Sequence, residues 1–294
     1  MATDSPADHL SRLLWSPSDR PVVAPGVWDG LSARLAIRAG AVALHASGGA
    51  IARAAGQPDL GILGLAEMEM RIGEIVEAAE GVPVIADADT GYGGLLNMAH
   101  TMRRYARLGV AALHIEDQPF PKRCGLFDGV EVVPQAEMLA RLRAALESRP
   151  PGGPLLIART DAAKPEGLPA ALARMRAYVA TGAEIAFVEG LDDTAALEAA
   201  SAALPGVKLL LNASMSAHGL PIPLERLRAL NYRIVIYPGD AQRAAIAAMA
   251  DTFGAVLRDG DARAVAGRLA PAEQRDEAVK TRALMAAEGR WTTA

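Results

Sequence analysis

Val84-Ile85-Ala86-Asp87-Ala88-Asp89 carries an apolar strand straight into two carboxylates at alternate positions, and Thr90-Gly91-Tyr92-Gly93-Gly94 turns the chain at once. A second stretch, Ala112-Leu113-His114-Ile115-Glu116-Asp117, ends the same way, and shortly after it Arg123-Cys124-Gly125 holds the only cysteine. Alternate residues of a strand face one side, so the spacing predicts that Asp87 and Asp89 point together and can approach one metal ion. Acids at strand ends beside a lone thiol suggest a divalent-metal site in a parallel α/β protein.

Working outward, short apolar runs recur at 22–27, 42–47, 83–88, 112–117, 155–160, 185–190, 208–213 and 233–238. Between them, 29–40, 66–80, 95–108, 134–147, 168–181, 193–203 and 240–258 have helical periodicity, and Gly40, Gly81, Gly109 and Gly182 stand where helices should stop. Eight strands alternating with helices predict an α/β fold of the (β/α)8 TIM-barrel class. An open doubly wound sheet is the alternative. It would usually show Gly-x-Gly-x-x-Gly after its first strand, and Gly26-Val27-Trp28-Asp29-Gly30 does not match. No linker interrupts the 294 residues, so 1–294 reads as one domain, with 261–294 a charged helical C-terminal extension that caps the barrel or docks on a partner subunit.

Composition narrows the function classes. The formal charge of −4, with no basic stripe, argues against nucleic acid, and an acidic small-molecule substrate must then be held by a few local cations. A single cysteine excludes an internal disulfide framework and fits a reducing compartment. The N-terminus shows no cationic start before an apolar run, and no later window reads as a membrane span, so a cytoplasmic protein is expected.

In a barrel the strand ends form the active face. Standing there are Ser47-Gly48-Gly49, Asp87 and Asp89, Glu116 with loop 118–131, Arg159-Thr160-Asp161, Glu189, and Asn212, Ser214 and Ser216. Three acids without a convergent His or Cys pair describe an oxygen-rich site that prefers Mg²⁺, with Mn²⁺ possible. Arg159 offers a planar fork for a substrate carboxylate. His45 lies on an apolar strand, where a core histidine is the commoner reading; His100 and His114 read as structural, and Met68 and Met70 as packing.

Taken together, Ser47-Gly48-Gly49, Pro58-Asp59-Leu60-Gly61, Asp87-Ala88-Asp89-Thr90-Gly91-Tyr92-Gly93, His114-Ile115-Glu116-Asp117-Gln118, Lys122-Arg123-Cys124-Gly125, Ala158-Arg159-Thr160-Asp161, Glu189 and Asn212 resemble the isocitrate lyase and phosphoenolpyruvate mutase superfamily, most of all its 2-methylisocitrate lyase branch. The resemblance implies a Mg²⁺-binding barrel that cleaves a carbon–carbon bond of a 2-hydroxy di- or tricarboxylate, giving an α-keto acid such as pyruvate and a second carboxylate such as succinate. It implies Asp87, Asp89 and Glu116 as metal ligands, and Ser47, Gly48, Gly49, Asp59 and Arg159 around the keto-acid end. Glu189, Asn212, Ser214, Ser216 and Gly125 would surround the second product. Cys124, with Lys122 on the same loop, would protonate the departing enolate, and His45 stands where several lyases have a tyrosine near the reacting hydroxyl. A homotetramer of helix-exchanged pairs is implied as well. One position departs: the family pattern continues Lys-Arg-Cys-Gly-His, and here Leu126 follows Gly125. Oxaloacetate decarboxylase or hydrolase activity, and phosphonomutase chemistry, are the alternatives within the same resemblance.

Overall fold

Eight parallel strands close on themselves in chain order, each hydrogen-bonded to the next and the last to the first. They are β1 (Val22–Val27), β2 (Leu44–Ala46), β3 (Val84–Asp87), β4 (Ala112–Glu116), β5 (Leu155–Thr160), β6 (Ile185–Val188), β7 (Lys208–Asn212) and β8 (Tyr232–Tyr237). The structure, a computed structural model, describes residues 4–18, 20–125, 127–215 and 222–292. A (β/α)8 barrel is therefore what the alternation of runs encodes, because parallel neighbours need helical crossovers and full closure leaves no open edge.

The two-residue period of each strand sorts its side chains into two cores. Ala24, Ala43, Ile85, Ala112, Ile157, Ile185, Phe187, Leu210, Ile234 and Ile236 form one buried cluster inside the barrel. Their neighbours Ala86, Leu113, Ala158, Ala186, Leu211 and Val235 belong to another, against the surrounding helices. Helix Pro6–Trp15 closes the bottom: Leu10 and Leu14 are fully buried against the interior cluster, each contributing about 2 kcal/mol of apolar burial. A capping box between Ser5 and Asp8 starts this helix, and Arg228 ties its end by donating to the carbonyls of Leu14 and Ser16.

Following the interior register toward the strand ends, the apolar layers give way to polar ones. Ile85 is followed two residues on by Asp87, Ala112 by His114 and Glu116, Ile157 by Arg159, Phe187 by Glu189 and Leu210 by Asn212. The same alternation that fills the core thus projects the chemistry into the mouth of the barrel.

Two expectations change. Strand β3 ends at Asp87, and Asp89 lies beyond it with φ 45° at the start of a glycine turn, so strand alternation does not place Asp89 beside Asp87. The extension after Gly260, expected to be helical, is interrupted: a 3₁₀ turn (Arg263–Arg268) precedes helices Ala272–Ala278 and Thr281–Thr292. Pro271 stands at the start of the first of these helices, where its missing N–H is tolerated. No helix among the described residues is long and apolar enough to cross a membrane.

Candidate active site

Asp87 is the centre of the barrel mouth. Gly48 opens helix Gly48–Ala54 and donates its backbone N–H to Asp87 Oδ2 at 3.2 Å, and a Cβ on Gly48 would fall 2.6 Å from the same oxygen. Only glycine fits there. Asp87 Oδ1 accepts the Asp89 N–H at 3.0 Å and lies 3.5 Å from His114 Nδ1. Burial opposes its charge, but His114, Lys122 and Arg159 outweigh burial and hold this carboxyl below the usual range.

The other acids are less well compensated. Burial pushes Asp89 up to about 6, with Asp87 and Asp59 adding to the rise and Lys122 opposing it. Glu116, also raised by burial, has both carboxylate oxygens buried without a well-formed hydrogen bond, and Arg159 Nε stands 3.3 Å from one of them. Lys122 reaches in from the loop after β4, with Nζ 2.5 Å from Asp59 and 3.0 Å from Asp89. Asp59 also receives the Cys124 N–H on its backbone carbonyl at 3.1 Å, so one residue holds the loop by two grips. Gln118 adds a third, exchanging hydrogen bonds with the backbone of Arg123.

Arg159 is shared among three carboxylates: Asp161 at 2.9 Å, Glu116 at 3.3 Å and Glu189 at 3.5 Å. Its guanidinium lies 4.9 Å from the Phe187 ring centre, whose ring in turn meets His114 edge-on. These acids keep Arg159 charged despite burial. Glu189 accepts from Asn212 Nδ2 at 3.3 Å, and Asn212 Oδ1 accepts the Ser214 N–H. Below the acids, Asp117 takes hydrogen bonds from Thr160, Tyr178 and the Asp161 backbone, bracing β4 and β5 so that Glu116 and Arg159 stay opposite one another.

A cavity of about 230 Å³ brings His45, Ser47, Asp87, Cys124, Gly125, Arg159, Glu189, Asn212 and Ser214 to one surface. Gly48, Gly49, Asp59, Asp89, Glu116 and Lys122 do not line it; they belong to the buried charge network at its side. Ser47 also caps its helix, accepting the Ala50 N–H at 3.3 Å. Ser216 and Leu126 lie outside the described residues. His114, read from sequence as structural, lines the cavity, as do Arg53, Phe187, Gln242 and Arg243. Phe187 and His114 were legible as interior positions two residues short of a strand-end acid. Gln242 and Arg243 sit on helix Asp240–Asp259, where no motif marks them.

Among the described residues no three His, Cys, Asp or Glu side chains are gathered as a ready metal cage, since Asp89 is turned onto Lys122. The donor chemistry nevertheless fits a hard cation. Glu116 presents buried carboxylate oxygens that accept no hydrogen bond, and the acids Asp59, Asp87, Asp89, Glu116, Asp161 and Glu189 outnumber the cations Lys122 and Arg159 set among them.

Comparison with known proteins gives a family and several relatives. A family model described as phosphoenolpyruvate phosphomutase matches residues 12–257. The chain is 41% identical over 241 residues to the 2,3-dimethylmalate lyase of Eubacterium barkeri, covering 81% of this chain and 82% of that one. It is 37% identical over 236 residues to the 2-methylisocitrate lyase of Bacillus subtilis, covering 80% and 77%. A crystal structure of 2,3-dimethylmalate lyase, described as a PEP mutase/isocitrate lyase superfamily member, matches with a TM-score of 0.91 at 37% identity over 98% of this chain and 96% of that one. Oxaloacetate acetylhydrolase in complex with 3,3-difluorooxalacetate matches at 0.89 and 36%, covering 97% of each. A phosphonopyruvate hydrolase complex with oxalate and Mg²⁺ matches at 0.87 and 27%, covering 98% and 99%.

The packing around Gly125 is directly testable. A Cβ there would meet Asp161 Oδ1 at 2.8 Å and Arg159 Nη2 at 2.9 Å, so Gly125→Ala must lift the loop from the charge network. Cys124, the chain's one thiol, should then be alkylated by iodoacetamide several-fold faster than in the wild type at an almost unchanged melting temperature. Equal alkylation rates would show that the loop does not depend on this contact.

Proposed function

The chain belongs to the PEP mutase/isocitrate lyase superfamily, and on that premise we propose that it is a Mg²⁺-dependent carbon–carbon lyase acting on a 2-hydroxy di- or tricarboxylate of the 2-methylisocitrate type. The observation that carries the reading is the meeting of Cys124 with Arg159, Glu189 and Asn212 across one cavity, beside an acid cluster short of positive charge. Asp87, Asp89 and Glu116 would hold the cation, which stabilises negative charge on the substrate's hydroxyl and carboxylate oxygens when bound.

The residues divide the work. Arg159, with Ser47 and the backbone at Gly48 and Gly49, orients the keto-acid end. Glu189, Asn212 and Ser214 receive the other fragment, with Ser216 assigned there from the sequence resemblance alone. Cys124 donates the proton that quenches the departing enolate. Lys122 and Gly125 bring that thiol into place, because both are anchored to the network that binds the substrate. The apolar stretch of wall formed by Phe187, Ile236 and Ile246 favours, within this class, a substrate with an alkyl arm. The whole reaction is carried by a single barrel domain.

A second reading, cleavage of oxaloacetate, draws on the likeness to oxaloacetate acetylhydrolase. That reaction uses the same enolate-stabilising half of the site without a positioned thiol. Phosphonomutase chemistry is the remaining alternative.

The helix-exchanged homotetramer also belongs to this proposal. On helix Asp240–Asp259 the side chains of Met249, Phe253, Val256 and Leu257 are exposed, and a broad apolar hollow beside β1 is lined by Val23, Trp28, Leu31, Leu35 and Val42. Apolar surface of this extent on a water-soluble chain calls for a partner, and a second copy offers the matching face.

Turnover should stop on chelation and return with Mg²⁺ or Mn²⁺, and Asp87→Ala should abolish it in a folded barrel. Because burial pushes Asp89 up to about 6 and raises Glu116 as well, calorimetric Mg²⁺ affinity should fall by at least about tenfold per unit as pH drops below about 6. A pH-independent affinity across that range would remove Asp89 from the ligand set.

Products from 2-methylisocitrate, isocitrate, 2,3-dimethylmalate, oxaloacetate and phosphonopyruvate can be read by NMR. Cys124→Ser should lose about 10²- to 10⁴-fold in carbon–carbon cleavage, while oxaloacetate breakdown, whose small enolate solvent can protonate, falls far less. Cleavage of oxaloacetate alone, indifferent to Cys124, would replace the lyase reading by the second one.

Light scattering should give about four times the 30.6 kDa protomer mass, and Phe253→Asp should lower it. A monodisperse monomer would rule the assembly out.

A further inference from the structure

Where β8 ends, the cavity wall is formed by Ile236, Pro238 and Gly239. Gln242 brings a buried amide into that wall. It is 6% exposed, lines the cavity, and donates its side-chain N–H to the Ala50 carbonyl at 2.7 Å, a residue 192 positions earlier in the chain. The backbone explains how the two meet. Strand β1 runs between them, pairing with β8 through Pro25 and Tyr237 and with β2 through Gly26 and His45. A Cβ on Gly26 would fall 2.3 Å from the Pro238 carbonyl oxygen. The bare position lets the chain after β8 cross close over β1, so helix Asp240–Asp259 begins within reach of helix Gly48–Ala54.

Helix Gly48–Ala54 has seven residues, too few to be held by its own hydrogen bonds. The placement of its first turn is therefore set by ties to other elements. Gly48 donates its N–H to Asp87 at 3.2 Å, and Ser47 Oγ accepts the Ala50 N–H at 3.3 Å. Gln242 adds the tie on the Ala50 carbonyl. A buried amide without an acceptor is costly, which keeps this pair together. Because the Ala50 N–H is bonded to Ser47, a displacement of Ala50 is passed on to Ser47 and to the two glycines between them.

We propose that Gln242 is a positioning residue for the keto-acid end of the substrate: through Ala50 it fixes Ser47, Gly48 and Gly49, the groups that receive that carboxylate. The proposal rests on the reading above for what binds at those three residues, and the identity of the bond that is broken does not enter it. Gln242 acts on a carboxylate that is held alike before, during and after bond cleavage. Its loss therefore weakens binding and leaves the chemical step nearly as fast.

Two variants test this. Gln242→Met keeps the length of the side chain and deletes the donor, while Gln242→Asn keeps the amide and withdraws it by one methylene. Calorimetry with Mg²⁺ and oxalate, whose adjoining carboxylates imitate a keto acid, reads the keto-acid end. Succinate added at saturating oxalate reads the other. Both variants should bind oxalate about tenfold more weakly, the change expected for one buried hydrogen bond, and should bind succinate as the wild type does. With a cleaved substrate, KM should rise by a similar factor at nearly constant kcat. Oxalate affinity equal to that of the wild type, or oxalate and succinate affinities reduced together, would overturn the proposal and leave Gln242 a structural tie. Should Gln242→Met fail to fold, the same comparison on Gln242→Asn decides the matter. Oxalate binding needs no turnover, so its outcome is separate from whether the chain cleaves 2-methylisocitrate or oxaloacetate.

Discussion

The mouth of this barrel gathers more buried negative charge than its own cations can balance, and the local structure follows from that shortage. Lys122 and Arg159 reach in among the acids, and each is divided among several carboxylates. Lys122 is held by Asp59 and Asp89, which draws the cysteine loop down onto the barrel. Arg159 is held by Asp161, Glu116 and Glu189, which fixes its fork toward the cavity. The remaining imbalance appears as raised Asp89 and Glu116, groups that stay protonated or take a further cation. Charge compensation, loop position and cation affinity are thus one equilibrium viewed at three places.

Much of this was legible in the sequence because strand periodicity is simple. The runs at 22–27 and 155–160 and the helix at 95–108 have the bounds read from their patterns. The interior register of Asp87, Glu116, Arg159, Glu189 and Asn212 follows from counting in twos. Where the reading faltered, a local conformation intervened. Asp89 left the strand because the glycine turn begins one residue earlier than alternation assumed, with positive φ at Asp89 and Tyr92. His114 reads as structural from the sequence; its contacts are with Asp87 and His45, which are distant along the chain, and no local spacing reveals them. The cavity residues on helix Asp240–Asp259 depend on how that helix lies across the barrel, which no spacing within it encodes.

Several residues combine support with chemistry. Ser47 caps a helix while its side faces the cavity, and Asp59 anchors both a lysine and a backbone amide. Phe187 packs on both the Arg159 guanidinium and the edge of the His114 ring.

Helix Asp240–Asp259 carries two faces of different kinds. Its first turns supply Gln242, Arg243 and Ile246 to the cavity, and Gln242 bonds the Ala50 carbonyl at 2.7 Å, while Met249, Phe253 and Leu257 further along are turned to the outside. A helix is stiff over this length, so a tilt imposed at its outer end is delivered to the cavity wall at its inner end. Substitutions on the outer stretch of this helix and substitutions at the cavity wall therefore act on one rigid lever. A change that shifts Phe253 or Leu257 is carried through to the placement of Gln242 and Arg243.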